Sequence, residues 1–255
     1  RPEFNPLIIH FSSVEQKEEN CEINDDIKKL SDLFWPGPMT VILKKKKESK
    51  ISELASASLD TVGVRIPSNT TALKLIKSFG KPIAAPSANT SSSLSPTEAD
   101  HVFEYFKNDK NLSIILDGGS TKIGLESTII NITNDEIHIL RHGGVSVEEL
   151  YEKFPQKIIN IEQKTNEKII APGMLSKHYS PIVPLRINAK KAEKNELLIG
   201  FGPNYNAPNL SFEGNLVEAA SNLFSFLAKY QKKYSKIAIA PIPNKGIGRA
   251  INDRI

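Results

Sequence analysis

The amino-acid sequence predicts two α/β domains, and three observations predict them. Short apolar runs alternate with amphipathic helical stretches from Leu7 to Tyr151. Residues 155–195 then lose that alternation: they are polar, carry four prolines and show no long periodic segment. A compact strand–helix–strand pattern follows at Leu197–Phe201, Asn215–Tyr230 and Ile237–Ala240. Such a unit implies a parallel pair joined by a right-handed crossover. The expected division is a first domain over 1–154, a linker over 155–195 and a second domain over 196–255.

Each element has a local reason. Leu7, Ile8 and Ile9 read as a buried strand. Asn24-Asp25-Asp26 caps a helix that puts Ile27, Leu30, Leu33 and Phe34 on one face. Trp35-Pro36-Gly37-Pro38 must end it. Thr40-Val41-Ile42-Leu43 is a strand, and Lys44 to Lys47 reads as a solvated turn. A second strand, Thr61 to Ile66, stops at Pro67. The helix after it carries Ala72, Leu73, Leu75, Ile76 and Phe79 and stops at Gly80. Ile83-Ala84-Ala85 is a short buried strand. Ser95 as N-cap, Pro96 in the first turn and Glu98 closing a capping box predict a helix start. Ile114-Ile115-Leu116 reads as a strand. Thr128 to Ile132 and Ile137 to Leu140 read as a hairpin around Thr133-Asn134-Asp135-Glu136. Ser146 with Glu149 is a second capping box. In the helix of the second domain Leu216, Ala219, Ala220, Leu223, Phe224 and Leu227 share a face.

Composition excludes more than it assigns. The chain has 255 residues, 39% hydrophobic and 24% charged, which allows a normal core. Its 33 basic residues are offset by 29 acidic ones, so a net charge of +4 permits an anionic partner without demanding one. Cys21 is the only cysteine, which excludes an intrachain disulfide and a cysteine metal cluster and fits a reducing, cytoplasmic setting. No apolar run approaches the roughly 20 residues that span a bilayer, so no membrane partner is expected. No H-x-x-x-H, G-x-S-x-G, Walker loop or dinucleotide fingerprint is present.

What remains is a set of polar residues at strand ends, where α/β sheets carry ligands. Arg1, Arg65 and Arg141 each border an apolar strand, and a guanidinium is a fixed fork of donors for carboxylate or phosphate. One such arginine taken alone reads as a surface ion-pair partner. Three, in the company of Ser87, Asn89 and Ser127, read as an anion site. Ser87 and Asn89 could equally serve the turn after Pro86. Ser95 could act only as a cap, and His10 as a hydrogen-bonded core histidine.

At these residues the sequence resembles a known family. Arg1-Pro2, Asn5-Pro6-Leu7-Ile8-Ile9-His10, Trp35-Pro36-Gly37-Pro38-Met39-Thr40 and Thr61-Val62-Gly63-Val64-Arg65-Ile66-Pro67 are similar to motifs of the threonylcarbamoyl-AMP synthases. So are Ala85-Pro86-Ser87-Ala88-Asn89, Ser95-Pro96-Thr97, Asp117-Gly118-Gly119, Gly124-Leu125-Glu126-Ser127-Thr128 and Leu140-Arg141. They occur in the family's order over residues 1–145. Ala171-Pro172-Gly173-Met174 with Lys177-His178-Tyr179-Ser180-Pro181 resembles the interdomain linker of the family's longer form. Gly246-Ile247-Gly248 and Asn252-Asp253-Arg254 resemble its C-terminal domain. Ser92, Asn131 and His142 depart from the family's usual glycine, aspartate and proline. The family carries a lysine two residues before the position of Arg1, so the sequence reads as lacking an N-terminal segment.

The resemblance implies a twisted mixed sheet of YrdC-like fold followed by a smaller Rossmann-like α/β domain. It implies that L-threonine and bicarbonate form a carbamate that attacks the α-phosphate of ATP. Pyrophosphate leaves, and threonylcarbamoyl-AMP passes to a transferase that modifies a tRNA adenosine beside the anticodon. No side-chain nucleophile or protein metal cage is implied, because the substrate carboxylate attacks and Mg2+ is held mostly by ATP. Carried over by position, Arg1, Asn5, Thr61, Ser87, Asn89, Ser95, Arg141 and Tyr179 match ATP contacts. His10, Arg65, Ala85 (through its backbone) and Ser127 match threonine contacts. His178 and Tyr179 match a linker lid over the cleft. Three other readings compete: a carbamoyl-adenylate module of the hydrogenase-maturation type, an RNA-binding module without chemistry, and an inactive remnant. Weak RNA binding stays open beside the main reading.

Overall fold

The fold is described from a computed structural model, for residues 6–90, 93–161 and 181–255. Along the chain run β1 (Ile8–His10), α1 (Val14–Glu18), α2 (Asp25–Phe34), β2 (Met39–Lys44), α3 (Glu53–Ser56), β3 (Thr61–Arg65), α4 (Thr70–Phe79) and β4 (Ile83–Ala85). Next come α5 (Ala99–Phe106), β5 (Thr128–Ile132), β6 (Glu136–Arg141), α6 (Val147–Lys153) and β7 (Ile158–Ile161). The last are β8 (Leu185–Arg186), β9 (Leu197–Ile199), α7 (Leu216–Tyr230), β10 (Ile237–Ile239) and α8 (Gly248–Asn252). The chain divides into two compact units, Arg1–Pro86 with Glu126–Ser176, and Ser87–Leu125 with Lys177–Ile255.

The first unit holds a mixed sheet in the order β4-β1-β3-β2-β5-β6-β7. Pairing across it alternates strictly between antiparallel and parallel. Its centre is β2, in which Met39 to Leu43 are all buried. A strand covered on both faces needs an unbroken apolar run rather than alternation. The main core lies on one face. There Val41, Val62, Val64, Ile130 and Ile139 meet Ile27 and Leu30 of α2 and Val147 and Leu150 of α6. α2 starts where the Asn24 side chain accepts the Ile27 N–H at 2.9 Å, and it ends at Trp35. α6 opens on the expected Ser146–Glu149 capping box and joins the parallel strands β6 and β7.

The second unit holds a parallel sheet in the order β8-β10-β9, with α7 crossing between β9 and β10. Leu223, Phe224 and Leu227 of α7 pack with Ile199, Ile237, Ile239 and Ile251. Leu94 is buried in the same cluster, and Ile123 and Leu125 pack against it. Residues 87–125, expected with the first domain, therefore belong by packing with the C-terminal residues.

Four local expectations change. Residues 155–195, expected as a linker, carry β7 and β8, because Ile158–Ile161 and Leu185–Arg186 each find a parallel neighbour. Ile114-Ile115-Leu116 forms no strand; Ile114 and Leu116 are 73% and 56% exposed. The helix expected from Ser95 begins at Ala99 with Glu98 at the cap and no side-chain capping bond. Just before it, the Thr97 N–H reaches His101 Nδ1 at 3.3 Å. Finally, Thr61–Ile66 closes one residue early, at Arg65. Among the described residues no helix is long and apolar enough to cross a membrane.

Candidate active site

Strand direction alone gathers one set of polar groups. β1 and β3 run parallel with His10 opposite Arg65, so both strands end at the same sheet edge. β2 is antiparallel to β3, so its first residues, Met39 and Thr40, lie at that edge. β5 is parallel to β2 and also starts there, just after Ser127. β6 returns antiparallel and ends there at Arg141. Behind this edge Ile42 and Ile129 are buried, with Ile8 and Leu140 packed against them.

The side chains interlock. Arg141 Nη2 donates to the Ser127 carbonyl at 2.9 Å and to Ser127 Oγ at 3.1 Å. Its Nε donates to the same carbonyl at 3.1 Å. Ser127 Oγ lies 2.7 Å from Thr40 Oγ1. Arg65 Nε donates to the Gly37 carbonyl at 2.9 Å, and the Gly37 N–H bonds Ile66 O at 2.9 Å. The Trp35–Pro38 turn is thus a clamp on the end of β3, closed by a Trp35 Nε1 bond to Met39 O at 2.7 Å. The Arg141–Val145 loop lies against Glu126–Thr128. Thr128 Oγ1 donates to Val145 O at 2.6 Å, and an added Cβ on Gly143 would come within 2.3 Å of Thr128 N.

The electrostatics favour an anion. Burial, and then the Arg141 charge, push the Arg65 pKa down to about 10, so Arg65 stays cationic at neutral pH. Among the described residues no carboxylate pairs with it. Burial and the Arg65 charge lower His10 to about 4, against the pull of the Ile8 and Ile83 carbonyls. His10 is therefore neutral at pH 7, and its Nδ1 is 3.1 Å from Ile8 O. Because the folded pKa lies below the unfolded 6.5, His10's contribution to stability is complete above pH 6.5. It is lost as pH falls towards 4, by roughly 3 kcal/mol in all. Urea midpoints at pH 7.5 and 4.5 should show a smaller acid loss in His10→Gln than in the parent. Equal losses would exclude this coupling.

The structure brings together His10, Arg65, Ser127 and Arg141 of the expected residues. Ala85 pairs with Ile8 on the edge strand β4, two residues along from the level of His10. Thr61 opens β3 at its other end, opposite Lys44. That is roughly 13 Å from Arg65 at ordinary strand rise. Ser87, Asn89 and Ser95 belong to the second unit. There Ser87 is exposed and Ser95 buried. Asn89 Nδ2 donates to Ser93 O at 2.8 Å, while among the described residues its buried Oδ1 has no hydrogen-bond partner. Arg1, Asn5, His178 and Tyr179 lie outside the described residues. Sequence reasoning missed Thr40, fully buried and bonded to Ser127, although its place in the Trp35–Thr40 motif was the available signal.

Residues 1–143 match a family model (Sua5, YciO and YrdC) described as telomere recombination. Residues 145–255 match one described as the threonylcarbamoyl-AMP synthase C-terminal domain. A threonylcarbamoyl-AMP synthase of Pyrococcus abyssi is 37% identical over 100% of this chain and 80% of its own length. The chain belongs to the threonylcarbamoyl-AMP synthase family. A threonylcarbamoyl-AMP synthase of Bacillus subtilis is 34% identical over 100% of this chain and 79% of its own. The solved structure of P. abyssi Sua5 complexed with L-threonine superposes with a TM-score of 0.87 at 35% identity, covering 100% of this chain and 80% of that one. The order of the family's motifs is thus matched by the family's fold.

Proposed function

We propose that this protein makes threonylcarbamoyl-AMP and pyrophosphate from L-threonine, bicarbonate and ATP, for the threonylcarbamoyl modification of a tRNA adenosine next to the anticodon. The observation that carries the reading is the convergence of Arg65, Arg141, Ser127 and neutral His10 at one sheet edge. It is supported by the relatives' shared name and by the threonine-bound neighbour. Arg65 takes the threonine carboxylate and Ser127 donates to it. Arg141 locks Ser127 and adds positive potential where charge builds on the phosphate. A neutral His10 avoids a third buried cation and leaves an uncharged ring beside the amino acid. The carbamate oxygen is itself the nucleophile, so positioning and charge are what the protein must supply.

Mg2+ would screen the phosphates of bound ATP. Among the described residues no group of three His, Cys, Asp or Glu side chains could hold a metal. The open acceptor Asn89 Oδ1 fits a single hard-oxygen contact to such an ion or its water. The product passes to a tRNA threonylcarbamoyl transferase, in a cytoplasmic setting. The RNA-module reading loses support from the lysine run: Lys44 and Lys45 pair with Glu22 and Glu53 at 3.1 and 2.8 Å, and Lys46 bonds Glu18 O at 2.6 Å. The deciding assay is pyrophosphate release from ATP, expected only when threonine and bicarbonate are both present. Release indifferent to threonine, or salt-sensitive RNA binding with no turnover, refutes the assignment.

A further inference from the structure

We infer that Thr40 is a positioning residue that makes the Ser127 hydroxyl a fixed hydrogen-bond donor towards the substrate's carboxylate; this rests on the threonine reading above. A serine hydroxyl has one proton to give and two lone pairs to fill. One lone pair of Ser127 Oγ receives Arg141 Nη2 at 3.1 Å, and a guanidinium can only donate. Thr40 Oγ1 stands 2.7 Å from the same oxygen, and two polarities are open.

If Ser127 donated to Thr40, the Thr40 proton would be left over. That side chain is 0% exposed, and among the described residues it has no second partner. If Thr40 donates, its own proton is satisfied, both Ser127 lone pairs are filled, and the proton left over belongs to Ser127. A buried donor without an acceptor is costly in a closed interior. Ser127 is itself only 2% exposed, but it stands just before β5 at the strand ends, across Thr40 from Arg65, whereas Thr40 lies within the central strand; there the Ser127 proton is a donor held ready for an oxyanion. Thr40 has little freedom to do otherwise. It is β-branched on the central strand, and its Cγ2 takes the space at Gly63, where a Cβ would approach it to 3.3 Å. Ser127 is equally held, through both Arg141 bonds to its carbonyl. The arrangement accepts a ligand that presents oxygen at this point and rejects one that presents an N–H.

The test compares Thr40→Val and Thr40→Ala, which remove the hydroxyl, with Thr40→Ser, which keeps it. Threonine binding by calorimetry and steady-state pyrophosphate release are the readouts. Both hydroxyl-less variants should raise the threonine Kd and KM roughly 10-fold, with kcat changed by less than about 3-fold. Thr40→Ser should stay within about 2-fold of the parent. In a Ser127→Ala background Thr40→Val should add nothing further, since the two groups act as one. Parent-like threonine binding in Thr40→Val, or an undiminished Thr40→Val effect in the Ser127→Ala background, overturns the proposal. Loss of threonine binding in Ser127→Ala and Arg65→Ala, with Thr40→Val intact, sinks this inference alone. Normal binding in all three sinks the site reading with it.

Discussion

Arg65→Ala should lower threonine affinity about 100-fold in calorimetry, the size expected for removing one partner of a buried charged contact. The guanidinium is partly buried at the end of β3 and aimed by the Gly37 carbonyl, and Arg141 supplies a second positive charge beside it. The unliganded protein therefore holds two like charges in a desolvated place, and an incoming carboxylate relieves them. Alanine removes the cation and the geometry together. Arg65→Lys should recover little, because a lysine cannot bond Gly37 and face the ligand with one rigid group. Circular dichroism should show the fold intact. A threonine titration unchanged in Arg65→Ala would remove the site.

Gly143→Ala should be the most damaging change by stability. A Cβ there would lie 2.3 Å from Thr128 N, 2.4 Å from Glu126 O and 2.4 Å from Ser127 C, and all three are main chain. Backbone cannot turn aside as a side chain can, so the two segments must separate. The Thr128–Val145 bonds at 2.6 and 2.9 Å and the Gly144 N–H to Glu126 O bond at 3.1 Å go with them. A cost of about 3 kcal/mol lowers Tm by roughly 6–12 °C. Ser127 and Arg141 sit on the two separated segments, so threonine binding falls in parallel. Gly80→Ala offers the contrast. Gly80 ends α4 at φ 73° with nothing within 4 Å of a new Cβ, so only the backbone penalty of about 1 kcal/mol applies. Equal melting temperatures for Gly143→Ala and the parent would contradict the packing.

The parts legible in the sequence are those with a local cause. Asn24 and Ser146 cap helices through their own side chains, and Gly80 ends one by its conformation. Arg65 and Arg141 stand out because each ends an apolar strand, with Pro67 and Gly143 two residues further on. What stayed hidden depends on distant partners. Thr40 is an ordinary strand residue until β5 lies parallel to β2 and brings Ser127 alongside. Ile158–Ile161 becomes a strand only because β6 offers a parallel edge. Ile114 and Leu116 show the reverse: an apolar run with no such neighbour stays exposed coil. Thr61 was tied to Arg65 by one motif, yet four residues of extended chain carry them to opposite ends of β3.

The polypeptide passes between its two units three times, near residues 86, 125 and 176. Genetic division at the natural-looking boundary near residue 144 would strand Leu94, Ile123 and Leu125 on the wrong fragment and leave α7 with part of its apolar face wet. The C-terminal portion is therefore no portable cassette. It can be inherited, swapped or expressed faithfully only together with the excursion that leaves the first unit after Pro86 and returns at Glu126.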